Sequence, residues 1–189
     1  MITFSLPSPE AVRKYCLAQS RLGFTYPEQH ATSLPQKVNG YDNDYTEMPI
    51  GSGQADFDAA RRLIQEWRMF PSEWTVILPA HAPIEPGQTV AMYARAFGLW
   101  WRNACRIVYV VNEPNRYGFA YGTLPGHIER GEELFLLEKR KDGTVYYSVK
   151  AFSTPRHWVA RLAYPLMRRF QSRFRRDSCL QVKKRTQGV

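Results

Sequence analysis

Cysteine is scarce in this chain: three residues in 189, Cys16, Cys105 and Cys179, far apart from one another. An odd, scattered set excludes a disulfide framework and a CxxC metal pattern, and a reducing compartment is the simpler reading. Long apolar runs are missing as well. The longest, such as Val108-Tyr109-Val110-Val111, fall far short of the roughly 20 residues a membrane span needs. The first sixteen residues, MITFSLPSPEAVRKYC, mix acid and base and lack a long apolar core, unlike a signal or transit peptide. A cytoplasmic protein is expected. No Walker-type glycine loop is present, since Gly51-Ser52-Gly53 is too short, and there is no GxSxG elbow. Internal repeats and low-complexity tracts are absent too. Acids are nearly absent from one end: from Arg156 onward there are ten lysines and arginines and a single acid, Asp177. The first 155 residues are therefore neutral, and the whole net charge of +9 sits on the last segment. A concentrated basic face attracts polyanions, whereas a diffuse one mainly aids solubility.

Apolar residues make up 44% of the chain and aromatics 14%, which suffices for one sizeable core and argues against wholesale disorder. Residues 9–19 read as a short helix, with Ser8 as N-cap and Pro9 at the first position. A polar, turn-rich stretch follows, so residues 1–43 are expected to be an arm packed on the main domain. Residues 44–50 fit a first strand. In residues 54–70, Phe57, Ala60, Ile64 and Trp67 recur at helical spacing, with Pro71 as the stop.

From residue 74 to 152 the pattern turns to short Val, Ile, Tyr and Phe-rich runs: 74–78, 89–97, 105–111, 117–124, 133–140 and 144–152. Asp142-Gly143 is a tight-turn signal between the last two. With no helical pattern between them, these strands predict a meandering antiparallel sheet. Pro155 then opens an expected final helix of about 24 residues. Its apolar stripe comprises Trp158, Val159, Leu162, Ala163, Leu166, Met167, Phe170 and Phe174. Pro165 is expected to kink it by clashing with the carbonyl of Arg161. The fold class is α+β: an antiparallel sheet of about seven strands gripping a long C-terminal helix. This element order resembles the helix-grip domains of the START and Bet v 1 superfamily, where a curved sheet leaves a cavity beneath the last helix.

The most distinctive stretch is residues 117–133, in which Gly118, Gly122, Gly126 and Gly131 are closely spaced. Glycine within a strand marks a bulge or the close approach of a ligand or another backbone. His127, Glu129, Glu132 and Glu133 cluster at the connection between two strands. They fit either a proton-handling group, with His127 oriented by a glutamate, or a tight turn whose side chains cap loop amides. One histidine with glutamates at +2, +5 and +6 matches no standard metal spacing, so neither a metal nor a cofactor is expected. Cys105 and Cys179 have no visible base beside them, although arginines near Cys179 could lower its thiol pKa. Trp67 and Trp158 sit on apolar helix faces, as core or as cavity wall. Trp100-Trp101 is expected at a turn, either packed under the N-terminal arm or exposed to a partner.

The run Gly122-Thr-Leu-Pro-Gly-His127, followed by Gly131-Glu132-Glu133 and Phe135, resembles the signature of the DUF1990 family, also called UPF0548. Trp67-Arg68-Met69-Phe70, Val108-Tyr109-Val110-Val111 and Ala151-Phe152-Ser153 with Pro155 fit the same family. The resemblance runs from about residue 41 to 180 and implies a helix-grip domain over 44–180, with 181–189 as a basic tail. It implies no activity, because the family has none established.

Three functions compete. In the first, a cavity binds a hydrophobic small molecule or lipid, with walls drawn from Trp67, Tyr121, Gly122, Phe135, Tyr147, Trp158 and Leu162. His127 and Glu133 would stand near one end of it. In the second, an enzyme uses the same cavity, with His127 and Glu132 or Glu133 as proton-transfer groups. In the third, Arg168, Arg169, Arg175 and Arg176 bind an anionic membrane surface. Nucleic acid is disfavoured as the partner, because no aromatic RNA-binding motif accompanies the arginines.

Overall fold

The structure is a computed structural model that describes residues 2–156 and 164–188. Among these residues eight strands form one antiparallel sheet. They are β1 (Ile2–Thr3), β2 (Asp42–Ser52), β3 (Thr75–Leu78), β4 (Thr89–Ala96), β5 (Leu99–Glu113), β6 (Arg116–Thr123), β7 (Glu129–Lys139) and β8 (Thr144–Pro155). Seven run in the order β2-β8-β7-β6-β5-β4-β3, and β1 pairs with the start of β5. Three helices accompany them: α1 (Pro9–Ser20), α2 (Gly53–Gln65) and α3 (Tyr164–Thr186). As a helix-grip fold requires, α2 and α3 lie over one face of the sheet, where the main core gathers Phe57, Ile64, Phe119, Phe135, Tyr147 and Phe174. On the other face α1 packs Val12 and Cys16 against Ala91 and Tyr93 of β4. Strand alternation produces this division, since Val90 joins the main core while Ala91 and Tyr93 join the α1 cluster.

Local chemistry explains most element ends. Ser8 caps α1 by accepting from Ala11 N at 3.3 Å. At α2, Ser52 N donates instead to Asp56 Oδ2 at 2.8 Å, and a Cβ on Gly51 would collide with that carboxylate. Gly143 takes φ 85° in the β7–β8 turn, and Asp142 Oδ1 accepts from Thr144 N at 2.9 Å.

Four expectations need correction. First, α2 ends at Gln65, not at Phe70. Trp67 N donates to Ile64 O at 3.0 Å and Arg68 N to Leu63 O at 2.8 Å, the paired bonds of a Schellman end. Trp67 fills the left-handed position, φ 58°, where glycine is usual. It is held there by burial, at 5% exposure, and by its indole N–H, which donates to Ala82 O at 2.8 Å. Second, Trp100 and Trp101 lie within β5, not in a turn. The turn is Phe97-Gly98, a two-residue loop with φ 54° and 76°.

Third, Pro155 is the last residue of β8, paired with Glu129, so it does not open the helix. Trp158 and Leu162, and the Arg161 carbonyl that Pro165 was expected to displace, lie outside the described residues. Fourth, α3 runs on to Thr186 through the stretch expected as a tail. Its buried residues, Phe174, Arg175, Ser178, Cys179 and Val182, begin at its middle, whereas Leu166 is exposed. The first part of α3 is therefore the less buried, meeting the core's edge through Phe170, and the rest of the helix closes it.

Candidate functional site

Between the sheet and the first half of α3 lies a pocket of about 270 Å³. Its walls alternate with the strand period. Met92, Ala94 and Ala96 of β4 face it, as do Trp101 and Asn103 of β5, Tyr121 and Thr123 of β6, and Glu129, Gly131 and Glu133 of β7. Met167, Phe170, Gln171, Phe174 and Arg175 cover it from α3, with Trp74 at the side. Phe97, 72% exposed at the tip of the β4–β5 hairpin, borders it and meets Phe170 edge-on at 6.0 Å between ring centres.

Its polar groups fall into two sets, one joined through Asp44, Arg168, Gln171 and Glu129 and the other the Tyr121–Glu133 pair. Asp44 takes a two-point pair from Arg168, at 2.6 and 2.7 Å, and a third bond from Arg175 at 2.9 Å. Arg175 is buried, and its Nε has no hydrogen-bond partner among the described residues. Gln171 joins Glu129 and Ser153. Glu133 accepts from the Tyr121 hydroxyl at 2.8 Å through one oxygen, and no described residue donates to the other. Burial pushes Glu133 up to about 7; the Tyr121 bond and the Arg175 charge lower it, while Glu129 and Asp44 raise it further. Glu129 is raised too, again first by burial.

Glu129 N donates to His127 Nδ1 at 3.0 Å. Burial pulls the ring down to about 4, so it is neutral near pH 7. With Nδ1 as acceptor, its proton sits on Nε2 and can be donated into the pocket.

Of the expected site residues, Tyr121, His127, Glu132 and Glu133 line this pocket, whereas Trp67, Gly122, Phe135 and Tyr147 do not. Phe135 and Tyr147 are packed in the core, and Tyr147 exchanges a hydrogen bond with Ser178 at 2.9 Å. Gly122 is a correction. A Cβ there would meet the Tyr26 hydroxyl, which reaches in from the N-terminal arm on the outer face, so Gly122 makes room for the arm and not for a ligand.

Glu132 is a second correction, since strand alternation turns its carboxylate outward, away from that of Glu133. There it accepts from the Tyr26 hydroxyl, His30 N, Thr32 N and the Thr32 hydroxyl, at 2.5 to 3.1 Å. Both its oxygens are occupied, so proton transfer in the pocket could fall to Glu133 and His127 but not to Glu132.

Arg175 is a third correction: it is buried and paired with Asp44, off any polyanion-binding face, and Arg168 pairs with the same carboxylate while staying 30% exposed. Arg169 and Arg176 remain exposed. The thiols are not activated either. Burial raises Cys105, and it pushes Cys179 up to about 12 despite Arg175.

Asp44, Gln171, Trp74 and Trp101 were missing from the expected site, and Glu129 was read in the turn cluster without a role of its own. For Glu129 a signal existed, because it shares strand parity with Glu133. Among the described residues no cluster of three or more His, Cys, Asp or Glu is placed to hold a metal ion. Nor is any helix among them long and apolar enough to cross a membrane.

Comparison with known proteins gives consistent matches. A family model described as a domain of unknown function, DUF1990, matches residues 25–181. A UPF0548 protein of Dictyostelium discoideum is 30% identical over 205 residues, covering 97% of this chain and 95% of its own. A UPF0548 protein of Deinococcus radiodurans is 39% identical over 136 residues, covering 66% of this chain and 68% of its own. Among solved structures, the di-domain ARO/CYC StfQ from the steffimycin biosynthetic pathway aligns with a TM-score of 0.55 at 11% identity, over 79% of this chain and 52% of that one. Ara h 8.0201 aligns with a TM-score of 0.52 at 14% identity, over 79% of this chain and all of the other. At such identities these two structures speak for the fold alone, which is the helix-grip arrangement described above.

Proposed function

Because this chain belongs to the DUF1990 family, a domain of unknown function, we propose a function from its pocket: binding of a small, largely apolar molecule between the sheet and α3. The observation that carries the reading is the division of the pocket wall. Tryptophan, phenylalanine, methionine and alanine side chains supply most of it, and a few polar groups converge on it from Tyr121, His127, Glu129 and Glu133. Apolar walls with a few placed polar groups are the usual composition of a ligand site. Its size sets the scale of the ligand. An apolar cavity of about 150 Å³ accepts benzene, so 270 Å³ suits a molecule of one or two rings.

A neutral two-ring fluorophore such as 6-propionyl-2-dimethylaminonaphthalene tests this. The expected result is a blue-shifted emission on binding, with affinity in the low-micromolar range typical of an unoptimised apolar pocket, roughly 8 kcal/mol. Ala94→Phe places a ring in the space without touching the polar groups. It is expected to weaken binding by about tenfold or more, as steric filling of a packed site does, with an unchanged melting temperature. Equal binding by both proteins would place the fluorophore elsewhere and end this reading.

A further inference from the structure

We propose that the ligand of this cavity is an organic cation, an arylalkyl amine whose ammonium pairs with Glu133 while Trp74, Trp101, Tyr121 and Phe174 pack around its apolar body. This rests on the cavity reading above and adds the ligand's charge.

The first argument is a charge count. Asp44, Glu129 and Glu133 bring three carboxylates to the site, and Arg168 and Arg175 bring two guanidiniums. Both guanidiniums are committed to Asp44, and Glu129 holds the amide of Gln171. Glu129 and Glu133 thus each keep one carboxylate oxygen that receives no donor from any described residue, and Glu133 is the one held among the rings by Tyr121. When ionised it leaves the site one negative charge in excess. In a low-dielectric setting that excess is costly, so Glu133 retains its proton up to about pH 7. A ligand ammonium supplies the missing positive charge and a charge-assisted hydrogen bond in one group.

The second argument comes from the walls. Aromatic ring faces carry negative charge density and attract a cation held near them. The rings here are close-set: Trp74 meets Phe174 at 6.2 Å and Phe170 at 6.3 Å between ring centres, and Tyr121 holds Glu133 directly. Rings around a carboxylate are the recognition chemistry of ammonium compounds. The rival ligand is a carboxylate drawn to Arg175, whose Nε lacks a partner. It would add a fourth negative group to three carboxylates and two guanidiniums that already pair with one of them.

Proton linkage follows. The charged and titratable groups around Glu133 are Asp44 on β2, Glu129 on β7, Arg168 and Arg175 on α3, and His127 just before β7, which burial pulls down to about 4 and so keeps neutral between pH 6 and 8. Cys105 on β5, Tyr121 on β6 and Tyr147 on β8 are kept neutral by burial. Glu133 therefore changes charge near neutrality, with Glu129 raised in the same direction by burial, and a cation binds the form of Glu133 that has lost its proton.

The test compares 2-naphthylmethylamine, the isosteric 2-naphthylmethanol and 2-naphthoate by titration calorimetry at pH 8 and pH 6. At pH 8 the amine is expected to bind about tenfold tighter than the alcohol, the value of one charge-assisted contact, and the naphthoate more weakly than either. Lowering the pH to 6 is expected to reduce amine affinity by about tenfold, one proton per bound ligand over one pH unit below the midpoint, and to leave the alcohol unchanged. Glu133→Gln is expected to abolish the amine's advantage while retaining the alcohol, whose binding also reports that the variant is folded. Equal affinity of amine and alcohol, or tightest binding of the naphthoate, overturns the cation proposal and leaves the cavity reading standing. If none of the three binds and the neutral fluorophore also fails, the cavity reading falls with it.

Discussion

Glu132 and Glu133 are neighbours on β7, and the two faces of the sheet treat them in opposite ways. On the outer face Glu132 gathers four donors from the N-terminal arm. It is 2% exposed and makes every bond a carboxylate of its kind needs. On the inner face Glu133 has one donor, apolar neighbours and free space. Two identical side chains, one position apart, thus serve as a lock and as a reactive or binding group. What separates them is the number of donors each meets, which strand parity decides.

The largest expected effect falls on the lock. Glu132→Ala leaves the Tyr26 hydroxyl and the amides of His30 and Thr32 without their acceptor. Each buried donor left unsatisfied costs roughly 1–3 kcal/mol, so a loss of about 3–5 kcal/mol is expected in urea unfolding, together with faster amide exchange in residues 25–33. A loss under about 1 kcal/mol, within the range of an ordinary surface change, would erase the contrast between the two glutamates.

The second effect has the opposite sign. The fold holds the Glu133 carboxyl near 7, above its ordinary value near 4.3, so the folded state binds this proton more tightly than the unfolded chain does. The native protein therefore keeps its full stability below about pH 4 and loses some as pH rises towards and through 7. Glu133→Gln removes that dependence. At pH 8 the variant is expected to be more stable than the native protein by about 2–3 kcal/mol, and the difference should narrow to about 1 kcal/mol at pH 5 and close below about pH 4. A variant less stable at pH 8 would mean that Glu133 is as well satisfied as Glu132.

These contrasts also show what the sequence could and could not carry. Element order was legible because each strand has its own apolar run and Asp142-Gly143 marks its turn. The capped helix at 9–19 was legible for the same reason: its signals are local. The two glutamates were read together because adjacency in sequence is visible and strand parity is not fixed until the strand's ends are known. With β7 starting at Glu129, parity puts 129, 131 and 133 on one face and 130 and 132 on the other. The Asp44 pairs with Arg168 and Arg175 join β2 to α3 across more than 120 residues, and neither end carries a local signal for the other. Those arginines were therefore assigned to an outer face. Trp67 was read as helical because its spacing continues that of Phe57, Ala60 and Ile64. A left-handed tryptophan follows from its tertiary contacts with Ala82 and Phe119, which no propensity encodes.

The smallest expected effect lies at the pocket mouth and tests whether the inner face trades stability for its contacts. Phe97 occupies the first position of a two-residue turn at φ 54°, where asparagine is favoured and an aromatic residue is strained. It is 72% exposed, so little burial offsets that strain. Among the described residues its one ring contact is the edge-on meeting with Phe170, beside the pocket. Phe97→Asn is therefore expected to stabilise the hairpin by about 0.5–1 kcal/mol, raising the melting temperature by a few degrees at most. The same change removes an apolar wall from the mouth and is expected to weaken the neutral fluorophore by a few-fold, since one aromatic contact contributes about 0.5–1.5 kcal/mol. Higher stability with weaker binding would mark Phe97 as a residue kept for the pocket. Higher stability with unchanged binding would confine the ligand to the inner half of the cavity, nearer Glu133. Lower stability would show that the Phe97–Phe170 contact outweighs the backbone strain and that the hairpin tip belongs to the core after all.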